Sequence, residues 1–135
     1  MIDAAEIPFA QVLQALLDND KPFPTRYIYR LSDISSEETT SLEKAWNQVP
    51  LTRRQAVMED VQSMGEDDML MDFSAIGRMA LRDSDAYVRL LAVRTLVEYE
   101  QVELLPAFLH MAESDADEQV RAASTAALGA FVYLG

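Results

Sequence analysis

Asp83-Ser84-Asp85-Ala86-Tyr87-Val88-Arg89 returns 32 residues later as Asp115-Ala116-Asp117-Glu118-Gln119-Val120-Arg121. Sliding residues 72–103 over 104–135 extends the agreement to eight identical pairs. Besides the two Asp pairs, the Val pair and the Arg pair inside the quoted stretch, they are Ala75/Ala107, Met79/Met111, Ala80/Ala112 and Leu96/Leu128. Ordinary composition supplies about two in such a window. Each unit reads as helix, short acidic turn, helix. In the first, Phe73, Ile76, Met79 and Ala80 recur at helical spacing and stop at Arg82-Asp83-Ser84-Asp85. Asp85 then serves as N-cap of a helix whose apolar face carries Val88, Ala92, Leu96 and Tyr99. The second unit repeats the plan with Leu105, Phe108, Met111 and Ala112, the cap Asp117, and then Val120, Ser124, Leu128 and Phe131. Pro106 falls in a first helical turn, where its missing N–H costs nothing.

Working back from this pair, the pattern loosens. Ser35-x-x-Glu38 is a capping box that opens a helix over about 36–48. Pro50 restarts the chain into a second helix that is expected to stop at Gly65. A first helix over about 9–18 is followed by Pro22-Phe23-Pro24, which cannot be helix interior. The reading is therefore an all-α stack of about seven helices. Residues 1–34 form an N-terminal helix and Pro-flanked linker capping the stack, 35–71 a degenerate first repeat, and 72–103 and 104–135 two regular repeats.

Arg89 and Arg121 sit in the first turn of a helix, where the macrodipole disfavours positive charge. Asp83 and Asp115, six residues earlier, are the compensating acids. If the units stack, the Asp of one turn accepts from the Arg of its neighbour and the pairs make a ladder beside the core. At these residues the chain resembles the HEAT-repeat family: the Asp-to-Arg separation, the Val before the Arg and the later Leu match that family's turn and second helix. The resemblance implies a right-handed α-α superhelix with second helices on the concave side, and protein–protein binding as its main use. It also implies that the Asp–Arg ladder belongs to the fold. The family's first-helix proline is absent at Ala75 and Ala107, which removes the usual bend there.

Composition bounds the function. The formal net charge is −12, with eleven Lys and Arg against 23 Asp and Glu, which disfavours nucleic acid and anionic membranes as partners. Between Arg94 and Arg121 lie seven acids and no Lys or Arg, which reads first as an acidic, well-solvated surface and, as the sharper alternative, as a match for a basic protein partner. No cysteine is present, so thiolate metal sites and cysteine nucleophiles are excluded. His110 is the one histidine and is expected on the outer side of its helix. Asp83-x-Asp85 and Asp115-x-Asp117 superficially suggest a metal–diphosphate site, but their position at helix starts reads better as caps. Glu66-Asp67-Asp68 lacks the alternating ligands of a calcium loop. No catalytic, cofactor or metal residue is therefore assigned, and a cytoplasmic protein-binding scaffold is expected, with a HEAT-like chaperone or lyase-type accessory protein as the alternative.

The expected partner face is built from the second helices: Leu90, Arg94, Val97, Glu98 and Gln101, then Ala122 and Ala126. Residues 122–135 carry no charge at all. A terminal repeat normally has a polar outer face, so this helix is expected to continue into a longer solenoid or to pair with another chain.

Overall fold

The structure, a computed structural model, describes residues 3–131. Eight α-helices follow one another with no strand among the described residues. They are α1 (Phe9–Leu17), α2 (Thr25–Arg30), α3 (Ser36–Trp46), α4 (Leu51–Asp67), α5 (Ser74–Ala80), α6 (Ala86–Val97), α7 (Leu105–Ser114) and α8 (Glu118–Ala130). Single 3₁₀ turns at Ala4–Glu6 and Val102–Leu104 precede α1 and α7. The helices alternate between two layers. In the second-helix layer α6 lies between α4 and α8, while α5 and α7 close their hairpins against α6 and α8.

Helix boundaries follow local chemistry. Ser35 accepts from Glu38 N at 3.1 Å while the Glu38 carboxylate accepts from Ser35 N at 3.0 Å, a complete capping box. Asp85 caps α6 by accepting from Val88 N at 3.0 Å, and Asp117 caps α8 by accepting from Val120 N at 3.0 Å. Past the end of α6 the chain turns with Glu100 in the left-handed region at φ 48°.

Two elements differ from expectation. The described residues hold eight helices, in keeping with the about seven expected, and the additional one is Thr25–Arg30, inside the expected linker. Pro24 precedes its first turn, where a proline lacks no needed donor, and Tyr27 and Ile28 on this short helix are buried. α1 packs on α3 and α2 on α4, so the N-terminal pair continues the layering as a further hairpin. The second difference is α4, which runs through Gly65 to Asp67. Gly65 acts there by its lack of a side chain: a Cβ would stand 3.2 Å from the Tyr99 hydroxyl.

One continuous apolar core runs the length of the stack, from Ile7 and Val12 to Val120 and Ala127. Ile76 and Phe108 occupy corresponding places in successive repeats and are fully buried. Gly77 lets α5 approach α6, since a Cβ there would meet Leu96 Cδ2 at 2.8 Å. No described helix is long and apolar enough to cross a membrane.

Candidate functional site

The acidic turns carry the joints between hairpins. Arg89 reaches from α6 to the next turn, where Nε and Nη2 donate to the two oxygens of Asp115, each at 2.9 Å. Its Nη1 donates backwards to the Asp83 carbonyl at 3.0 Å. Bidentate pairing of this kind fixes orientation as well as distance. Burial pushes the Asp115 carboxyl up, but the Arg89 hydrogen bonds, the Asp117 amide and the nearby arginine charges outweigh it and hold it below its ordinary value. The Arg89 guanidinium is raised in turn, chiefly by its hydrogen bond to Asp115.

Asp83 makes the preceding joint with Trp46 and Arg54, which lie outside the two regular repeats. Its carboxylate accepts from the Trp46 indole N–H at 2.7 Å and from Asp85 N at 2.9 Å. Arg54 Nε lies 3.1 Å from Asp83 Oδ2 without its hydrogen aimed at that oxygen, so the contact is ionic, while Nη2 makes a long hydrogen bond of 3.5 Å to Oδ1. Arg121 repeats the backward bond of Arg89, donating from Nη1 to the Asp115 carbonyl at 2.7 Å. Arg54 was not singled out in the sequence, although a signal exists. Like Arg89 and Arg121, it is the fourth residue of its helix, once the helices are aligned on their starts.

These bonds occupy the paired acids. Asp83, Asp85 and Asp115 each accept from named donors, and Asp85 also accepts from Gln55 Nε2 at 3.1 Å. Among the described residues no group of three or more carboxylate, His or Cys side chains is gathered as a metal site would require. His110 is exposed on α7.

The face of the second-helix layer bears an open groove of about 580 Å³ between α6 and α8. Ala122, Ala123, Ala126 and Ala127 line the α8 side, and Val93 and Val97 the α6 side. Small side chains keep the helix surface low, which lets an incoming backbone approach closely. Arg94, Glu98, Gln119 and Glu66 make its polar rim. Of the residues expected to meet a partner, Arg94, Val97, Glu98, Ala122 and Ala126 come together here. Leu90 does not: it is 4% exposed and packs into the core. Gln101 also lies elsewhere, in the loop after α6, where its side-chain oxygen accepts from Arg78 Nε at 3.0 Å. Of the uncharged C-terminal stretch, Val132 and the residues after it lie outside the described residues.

A second depression of about 810 Å³ lies at the N-terminal end, beside Tyr29, Asp33 and Met71. Its main cation is already engaged: Arg30 donates from Nε to the Ile7 carbonyl at 2.8 Å and pairs with Glu38 at 2.5 Å. That hydrogen bond is the leading cause holding the Glu38 carboxyl below its ordinary value. The groove between α6 and α8 has no such internal closure and is the better candidate.

A family model described as HEAT repeats matches residues 43–129, well over half of the chain. No curated protein and no solved structure matches it. The matched span covers α4 to α8 and both acidic turns, the same residues that carry the stacked hairpins and their joints. The chain belongs to the HEAT-repeat family.

Proposed function

We propose that the chain is a protein-interaction scaffold whose binding surface is the groove between α6 and α8. HEAT repeats are in general protein-interaction elements, and the single observation supporting this use here is the groove itself: an alanine-lined floor in a rim of two acids and one base. A helical segment with a narrow apolar face and basic flanks fits it. Small floor residues admit close backbone approach, and Glu66 and Glu98 attract the flanking charge. Catalysis has no comparable support, because the acids closest to a catalytic constellation hold the turns together.

The test is affinity capture with quantitative mass spectrometry, comparing the wild type with Ala126→Trp, which fills the groove from an exposed position, and with Glu98→Lys, which reverses an exposed acid of its rim. Polypeptides that depend on the groove should be depleted at least about tenfold by either change, as at an interface hot spot, with the melting curve unmoved. An unchanged set of captured proteins would reject the groove as the binding surface.

A further inference from the structure

The loops that join one repeat to the next form a surface apart from the groove floor. Residues 68–73 link α4 to α5, and residues 98–104 link α6 to α7. They lie side by side: Phe73 N donates to the Tyr99 hydroxyl at 3.0 Å, and Arg78 on α5 holds Gln101 in the second loop. Burial is the main cause that pushes the Tyr99 phenol up.

On the edge so formed, Met69 is 97% exposed, Leu70 89% and Val102 60%. A single exposed apolar residue is ordinary. Two adjacent ones standing almost wholly in water on a pinned backbone are not, because a slack loop would fold them against the protein. This loop is pinned along its length. Leu70 N donates to Asp68 Oδ1 at 2.9 Å and Met71 N to the Asp68 carbonyl at 3.2 Å. Asp72 N donates to Ser32 Oγ at 2.8 Å, and the Asp72 carbonyl accepts from Asp33 N at 2.7 Å. The backbone thus presents Met69 and Leu70 outward.

The surroundings select the occupant. Residues 66–73 and 98–104 contain Glu66, Asp67, Asp68, Asp72, Glu98, Glu100 and Glu103, and no Lys or Arg. Nucleic acid and anionic lipid are repelled by such an edge. A second copy of this chain is disfavoured as well, since it brings another net −12 and the rim of its own groove is partly acidic. We infer that the edge formed by residues 66–73 and 98–104 is a second docking surface, which inserts Met69 and Leu70 into an apolar pocket of a protein partner whose rim is basic. Methionine suits this use, because its unbranched thioether adapts to irregular pockets. The charges steer the encounter and the two apolar side chains hold it.

The experiment uses the full chain, isotope-labelled for NMR, and an amphipathic synthetic peptide of leucine and lysine as stand-in for a basic-rimmed apolar surface. Matched peptides carry serine for leucine or glutamate for lysine. The variant is Met69→Ser/Leu70→Ser, whose side chains support nothing in the core and whose fold is checked by amide dispersion. The inference expects the leucine–lysine peptide to shift amides in both loops and to bind the variant at least about tenfold more weakly. It expects the serine–lysine peptide to bind both proteins equally and weakly, and the leucine–glutamate peptide to bind neither. Equal affinity of the leucine–lysine peptide for wild type and variant would overturn the inference. So would shifts confined to Val93, Val97, Ala122 and Ala126, which would transfer the binding to the groove and leave the proposed function standing. Binding to neutral phosphatidylcholine vesicles, or concentration-dependent self-association, that disappears in the variant would assign the edge to a lipid surface or to a second copy instead.

Discussion

Replacing Asp83 with alanine should be among the most damaging single changes in this protein. The side chain is 2% exposed and serves three partners on three elements: the Trp46 indole, the Arg54 guanidinium and the Asp85 amide. Leaving the buried indole donor without an acceptor costs about 1–3 kcal/mol. Stranding the Arg54 charge, 13% exposed, belongs to a class of change worth about 3–5 kcal/mol. The two overlap, since both count the same carboxylate, and Arg54 keeps its 2.7 Å bond to the Val49 carbonyl. A net loss of about 3–4 kcal/mol is expected, or about 10 °C in Tm for a chain of this size. Urea unfolding reads it directly, followed by far-UV circular dichroism and by the fluorescence of Trp46, the single tryptophan. Asp83→Asn should fall between wild type and alanine, because one acceptor oxygen survives. The internal control is Arg82→Ala at the neighbouring residue, whose pair with Glu43 is exposed at 74% and 44% and should be worth less than about 0.5 kcal/mol. If Asp83→Ala stays within about 1 kcal/mol of wild type, or costs no more than Arg82→Ala, the carboxylate does not join the repeats and the reasoning fails.

Arg89→Ala should cost about 1–3 kcal/mol, and a double-mutant cycle with Asp115→Ala should return a coupling of similar size; additivity would show that the two do not act as a pair. Ser124→Ala should stabilise by about 1 kcal/mol, because Ser124 Oγ is buried without a partner among the described residues where Ala92 stands one repeat earlier. Gly77→Ala should destabilise instead, despite the better helix former, since its Cβ meets a fixed Leu96; equal melting temperatures for the three proteins would contradict both. Asp115 and Glu38 have depressed carboxyls, so the folded state binds fewer protons than the unfolded chain across their titration. The stability they provide is complete above the ordinary carboxylate range and is lost as pH falls below about 4. Relief of self-repulsion in a chain of net −12 opposes this only at higher pH. Denaturation from pH 5 to 2.5 should therefore be shallower in Asp115→Asn, and identical slopes would refute the assignment.

The repeat was legible from residue 72 onward because each of its features has a single physical reading: capping aspartates at equal intervals, core residues at helical spacing, and arginines at unfavourable helix starts. Arg54 escaped because the interval between repeats changes there, and fixed-offset comparison cannot follow a change in loop length. α2 escaped because two prolines suggest a linker, whereas the second one only delimits a helix of six residues. Leu90 was placed on the partner face by its position around the helix alone. α6 packs against α4, α5 and α8, and seven of its twelve residues are buried, which narrows its exposed strip to the neighbourhood of Arg94. Burial on several sides depends on which elements become neighbours, and periodicity within one helix carries no record of that. Met69 and Leu70 illustrate the converse: apolar residues in sequence, yet nearly fully in water once folded.

The two buried arginine–aspartate pairs between hairpins point one way. Arg54 reaches forward to Asp83 and Arg89 forward to Asp115, so each brick has a socket on one side and a plug on the other. Such a molecule can grow by insertion. A second copy of residues 86–117 spliced directly after Asp117 would present its own arginine and aspartate in register and recreate every junction it interrupts. Directionality makes the stack extensible in the manner of a zip fastener, in which teeth of one orientation accept any number of further teeth of the same orientation and none that are reversed.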